Sequence, residues 1–231
     1  MNQEYVNQYD TELSFKDFLT KTFLMVAIGL AVTTTIAFFV SKFFYQFMYL
    51  IGSVGFIVLL LAEVGVVIYL GARITSLSKT TAYTLYFLYS ALNGINISTV
   101  LMVYTGASVV LAFGMTTLLF ICMSIIGNST KVDLTKYSSL FAIGLVVLLI
   151  GGIINIFIGS GIGDWLLCVV GVVLFLGLIA YDMQRLRNMY NAAYSNPEIS
   201  DNLVIYGALQ LYLDFINLFI RIIRIFGRRR D

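Results

Sequence analysis

Twelve of the 231 residues are acidic, and three of them, Glu63, Asp182 and Asp214, fall well inside apolar runs. A carboxylate in the middle of a lipid-spanning helix costs roughly 2.5–3.5 kcal/mol on insertion scales. Such a group is read first as functional, and second as a neutral or paired acid that holds helices together. Asp182 precedes the end of its run and Asp214 follows the start of the next. At 1.5 Å per residue they lie roughly 7 and 16 Å from the same membrane face, a gap that helix tilt can narrow. Two carboxylates in a dry site cannot both ionise cheaply, so the pair can hold one shared proton. Such a dyad can sense pH near neutrality without histidine. The chain has no histidine, which excludes Ser–His catalysis, histidine-ligated haem or zinc and a histidine pH switch.

The cations near these acids have two readings each. Arg73 lies on the same run as Glu63, towards the face shared by the aspartates. It is a candidate partner for one aspartate, or a topology anchor that snorkels to the interface. Arg185, three residues after Asp182, is an alternative local partner. Arg221 and Arg224 are neighbours on one helix face, and Arg228, Arg229 and Arg230 follow. They read as anchors to anionic lipid, or as a gate or partner-docking tail. Glu63, Asp182 and Asp214 offer oxygen ligands of the kind calcium takes, without completing a coordination cage. Cys122 and Cys168 sit in apolar runs and read as packing residues rather than a disulfide or metal pair.

The elements that must position these groups are membrane helices. The chain is 60% hydrophobic and 11% charged, with a mean hydropathy of +0.94, against roughly 25% charge in a soluble domain. The apolar runs are continuous and about 20 residues long, the helical length for a hydrocarbon core of about 30 Å. Barrel strands would alternate apolar and polar instead. The expectation is a single all-α integral membrane domain over residues 1–231, with spans near 22–40, 47–70, 81–102, 107–126, 137–158, 165–186 and 203–226. The longest loop is expected at 187–202, around the only proline, Pro197. Residues 1–16 are polar and acidic, without the basic head and cleavage site of a secretory signal. A net charge of +2 offers no basic surface for nucleic acid.

The third run is the least apolar. Ser90, Asn93, Asn96 and Ser98 are spaced for one helix face, for interhelical hydrogen bonding or for lining a polar pathway. With no proline inside a span, kinks need Gly or Ser; Gly94, Gly114, Gly144, Gly151 and Gly152 are candidates for kinks or for close packing. Topology follows the basic loops. Arg73, Lys79, Lys131, Lys136, Arg185 and Arg187 put the N-terminus and the even-numbered turns in the cytoplasm. Seven full spans then leave the terminal arginines outside. The charge rule favours a re-entrant last segment, whereas its length favours a span.

Three stretches resemble a known family. The run from Ala208 through Leu211, Tyr212, Leu213, Asp214, Phe215, Ile216 and Asn217 to Phe219 resembles the final-helix signature of the Bax inhibitor-1 (transmembrane Bax inhibitor motif) family. Ala180, Tyr181, Asp182, Met183 and Gln184 resemble its sixth-helix motif. Thr80 to Tyr83, with Tyr89, Ser90, Ala91, Leu92, Asn93 and Gly94, resembles its third helix. The chain is identified as a prokaryotic-type member, over essentially its whole length. The resemblance implies two three-helix layers around a central C-terminal helix, in a multi-pass protein of a prokaryotic inner or plasma membrane. It also implies a pH-sensitive calcium leak, with Asp182 and Asp214 as a hydrogen-bonded pH-sensing dyad and Arg73 as the gating latch. Glu63 and Asp214 would form the cation pathway and offer ligands to the metal.

The expected function is therefore a calcium leak channel gated by the aspartate pair, with calcium as permeant ion, no organic cofactor and no enzymatic activity. One alternative is a regulator that binds a membrane protease or other membrane partner without transport. Another is a proton-coupled cation antiporter. An intramembrane aspartyl hydrolase fits least, because Gly161, Ile162, Gly163 and Asp164 lie at an interface, in the wrong order relative to Tyr181 and Asp182.

Overall fold

The computed structural model describes residues 14–74, 76–193 and 197–230, with backbone alone at 193 and 197–201. Residues 1–13, most of the stretch read above as polar and acidic, lie outside the described residues. Seven α-helices follow in order: α1 (Phe15–Lys42), α2 (Phe44–Arg73), α3 (Lys79–Val103), α4 (Gly106–Ser129), α5 (Ser138–Ile158), α6 (Gly161–Ala193) and α7 (Pro197–Phe226). A short 3-10 turn (Leu134–Tyr137) leads into α5. All seven helices are long and apolar enough to cross a membrane.

The helix starts are written locally. Ser14, Ser78 and Thr105 each accept the backbone N–H three residues on, from Asp17, Thr81 and Ser108, so α1, α3 and α4 begin on hydroxyl caps. α5 ends at Gly159, whose φ of 66° is the left-handed conformation of a C-terminal glycine cap. α2 is interrupted at Gly52, with φ 64° and ψ 178°. That backbone is essentially closed to other residues, so the kink lies at a glycine outside the expected set.

The helices outrun the expected spans where water begins. α6 continues to Ala193 and α7 starts at Pro197, so most of 187–202 is helix rather than loop. Hydropathy marks only the hydrocarbon core, whereas backbone hydrogen bonding continues through polar turns such as Arg187–Asn191. Pro197 occupies a first helical position, where a missing N–H costs nothing.

α7 is the packing centre: 72% of its apolar window is buried, against 6% for α2 and for α5. It packs on α1, α3, α4 and α6; α1 packs on α3 and α3 on α2, while α6 packs on α4 and α5. In lipid there is no water to drive helices together, so small residues at crossings matter. A Cβ on Gly94 would lie 2.8 Å from the Thr33 carbonyl oxygen, and one on Gly127 would run into the backbone of Ala180. Gly144 and Gly151 likewise face Leu174 and Leu167 closely, whereas Gly114 and Gly152 face open space.

The last segment spans rather than re-enters. Beyond α7 the Arg228 carbonyl accepts the Thr105 N–H at 3.0 Å, and the Arg230 N–H donates to the Val103 carbonyl at 2.9 Å. The Arg228 N–H donates to Ser108 Oγ at 2.9 Å. The tail thus lies along the α3–α4 turn, on the face opposite the α2–α3 turn. Backbone pairing holds it there whatever the preference of its charges.

Candidate functional site: a buried aspartate pair and a separate glutamate cluster

Asp182 and Asp214 come together. α6 and α7 run antiparallel in close contact, and the two carboxyl groups lie within hydrogen-bonding reach. Asp182 is 7% exposed and Asp214 5%. Oδ2 of Asp214 meets no hydrogen-bond donor. Ionised carboxylates only accept hydrogen bonds, so a hydrogen bond between the two requires a proton on one of them.

Both aspartates line a cavity of about 580 Å³ between α5, α6 and α7. Its α5 wall is mostly apolar, and its α6–α7 wall carries Tyr181, Arg185, Gln210, Asn217 and Arg221. Arg185, three residues after Asp182, lines the same cavity, and its guanidinium lies 5.5 Å from the Tyr206 ring centroid. Arg221 reaches in from the other end, crossing Gly171, where a Cβ would stand 2.9 Å from its Nε, to donate to the Leu167 carbonyl at 3.3 Å. The cavity is therefore not purely acidic: two guanidinium groups bracket the pair. Arg221 lies two helical turns after Asp214, a spacing that could have placed it beside the pair from the sequence.

Arg73 is not brought to the pair. It is exposed at the end of α2, and α2 packs chiefly on α3. No ion pair joins Arg73 to either aspartate among the described residues.

Glu63 forms a second site. Its carboxylate accepts a hydrogen bond from Asn93 Nδ2 at 2.5 Å and another from Asn96 Nδ2. The Tyr212 hydroxyl donates to Asn93 Oδ1 at 3.1 Å and lies 2.5 Å from Thr33 Oγ1, which also reaches the Ser90 carbonyl at 2.9 Å. A buried polar chain thus runs from α2 through α3 to α7 and α1. Of the third-helix polar face, Asn93 and Asn96 clamp Glu63 and Ser90 receives Thr33 on its carbonyl, while the Ser90 and Ser98 hydroxyls bond back to the carbonyls of Tyr86 and Ile95 within α3. Tyr212 faces α1 and α3, while Asp214, two residues on, faces α6; α7 stands between the glutamate cluster and the aspartate pair. Tyr212 entered the sequence reading only as part of the final-helix string, and Thr33 not at all, although a Thr33-Thr34-Thr35 run inside an apolar helix was a signal.

The rest of the motif residues brace this geometry. Gln184 accepts the Leu134 N–H at 2.7 Å and donates to the Val132 carbonyl at 2.9 Å, tying the α4–α5 loop to α6 two residues after Asp182. Asn202 donates to the Leu77 carbonyl at 2.9 Å. Arg224 pairs with Asp164 at 2.8 Å, so the acid of the Gly-x-Gly-Asp string is engaged at the opposite face and does not approach Asp182. Cys122 and Cys168 are both free. No cluster of three or more His, Cys, Asp or Glu suited to a metal occurs among the described residues.

Comparison with known proteins agrees with this architecture. The family described as "Inhibitor of apoptosis-promoting Bax1" matches residues 15–231. A protein of Borreliella burgdorferi is 35% identical over 228 residues, covering 98% of each chain. The inner membrane protein YbhL of Escherichia coli is 35% identical over 223 residues, covering 92% of each. A Rickettsia prowazekii protein is 37% identical over 174 residues, 75% of this chain and 73% of that one. With seven spanning helices and a match from the first helix to the last residue, the chain is a multi-pass membrane protein belonging to the Bax inhibitor-1 family.

Proposed function

We propose that the protein is a passive calcium leak of the bacterial inner membrane, gated by protonation of the Asp182–Asp214 pair. The contact between those two carboxyl groups carries the reading. With one shared proton the pair is a clamp between α6 and α7. With both groups ionised, repulsion favours another packing of the two helices. At about 4 Å and an effective dielectric near 20, that repulsion is worth about 4 kcal/mol, or about a thousandfold in the ratio of the two packings. Arg73 is the latch of the other packing. α2 is peripheral and little buried, and its exposed Arg73 end lies ten residues beyond the Glu63 clamp that ties the helix to α3. Glu63 attracts the cation on the far side of α7, and rearrangement of α7 joins its cluster to the aspartates. No catalytic step and no organic cofactor enter this scheme.

Calcium flux into proteoliposomes between about pH 5 and 8, wild type beside Asp214→Asn, tests it. An amide at 214 still donates to Asp182 but cannot release a proton, so the expected result is a pH-dependent leak in the wild type and a flat profile in the variant. An unaltered profile in Asp214→Asn would sink the gating scheme. Uphill calcium movement driven by a pH gradient would replace the leak with an antiporter. No flux above empty liposomes at any pH would leave a binding role with a membrane partner as the reading.

A further inference from the structure

α1 and α4 both pack on α7 but hardly on each other. Between them three cavities follow one another. The first, about 510 Å³, opens at the α3–α4 turn; the second, about 260 Å³, shares Leu101, Val109 and Val110 with it. The third, about 610 Å³, shares Leu30, Thr34, Phe113 and Phe215 with the second. Together they form one groove, floored by Phe215 and Phe219 of α7 and open sideways to lipid, where Phe38 is 50% and Val110 74% exposed.

The groove is apolar along its length and cationic at one end. Lys42 and Arg230 both line the mouth. Lys42 Nζ lies 4.4 Å from the Phe38 ring centroid, folded back over the opening. Arg230 is fixed there by its own N–H on the Val103 carbonyl at 2.9 Å. Neither cation is ion-paired among the described residues. From Lys42 down to Leu30 the mouth and waist descend about 18 Å along α1, close to the depth of one leaflet of a bilayer with a core of about 30 Å.

We propose that this α1–α4 groove binds one anionic phospholipid, with an acyl chain between the helices and its phosphate on Lys42 and Arg230. An unpaired ammonium and guanidinium on one rim match a phosphate, which arginine holds in a forked geometry and lysine as a point charge. A zwitterionic headgroup brings the same phosphate with a cation attached, which repels the two rim cations and leaves their net charge uncompensated. The pinned C-terminal backbone then has a second consequence: it holds Arg230 at the lipid surface above the groove.

Native mass spectrometry of the full chain, released from nanodiscs of mixed phosphatidylglycerol and phosphatidylcholine, tests this. The wild type should retain one phosphatidylglycerol in preference to phosphatidylcholine. Lys42→Gln with Arg230→Gln should abolish the preference, at about fivefold for each cation removed. Val110→Trp, a change at an exposed wall position that should leave the fold intact, should lower retention of both lipids. Equal retention of the two lipids by the wild type, an undiminished preference in the double variant, or full retention in Val110→Trp would each overturn the proposal. A lipid-free dimer would assign the groove to a second copy of the chain and would overturn it too.

Discussion

The hydroxyl of Tyr212 offers a sharp test of the buried network. Its one hydrogen has two neighbours, Asn93 Oδ1 at 3.1 Å and Thr33 Oγ1 at 2.5 Å. Thr33 can supply the hydrogen between the two hydroxyls, because its own proton can serve either Tyr212 or the Ser90 carbonyl. The Tyr212 hydrogen is then committed to Asn93, whose amide nitrogen is committed to Glu63. Tyr212→Phe lets Thr33 turn fully to Ser90 and leaves one group stranded, Asn93 Oδ1. A buried acceptor left unpaired costs about 1–3 kcal/mol, while interhelical hydrogen bonds measured in membranes average about 0.6 and reach about 1.7. The expected loss is therefore about 1–2 kcal/mol in detergent unfolding by SDS titration. Tyr206→Phe is the control. It sits on the same helix and accepts only from Gln210 at 3.1 Å, within α7 and partly buried, so its loss should stay within about 0.5 kcal/mol. A double-mutant cycle of Tyr212→Phe with Asn93→Ala should return a coupling of about 1 kcal/mol. If Tyr212→Phe costs no more than Tyr206→Phe, or the cycle shows no coupling, the network does not bind α7 to α3 as described.

Three further outcomes follow from packing and charge. Gly127→Ala drives a methyl into the Ala180 backbone, and overpacking of this kind should cost about 1–3 kcal/mol in a thermal melt; a neutral result would mean that α4 and α6 can separate freely. Gly52→Ala meets no neighbour, yet its φ of 64° with ψ 178° is strained for any side chain. It should destabilise by about 1–3 kcal/mol or straighten α2, which spin-label distances between α2 and α3 would report; unchanged stability with unchanged distances would refute the kink. The Arg224–Asp164 pair is partly exposed, at 43% and 31% of its side chains. After allowance for screening by solvent, Arg224→Gln should therefore cost no more than about 1 kcal/mol in the same melt.

The sequence by itself determined seven long apolar helical segments, the membrane as solvent, the absence of histidine chemistry and the three acids that needed an explanation. These follow from composition and from runs of a fixed length, because lipid imposes one requirement on every residue of a span. The final-helix and sixth-helix strings also identified the family before any coordinates. Depth in the helices suggested Asp182 and Asp214 as a pair and the family resemblance implied it, whereas the contact itself belongs to the tertiary structure. Asp182 and Asp214 are separated by a turn whose geometry no periodicity fixes, and only the antiparallel contact of α6 with α7 brings their carboxyls together. The same contact map sends Glu63 to two asparagines on the far side of α7, although its depth made it equally eligible for the aspartates. It leaves Arg73 outside the pair and carries Arg221 in. For the last segment charge and length opposed each other, and length together with the family resemblance favoured a full span. That span was fixed by three hydrogen bonds between the tail and the α3–α4 turn, and these depend on where two segments more than 100 residues apart lie in space.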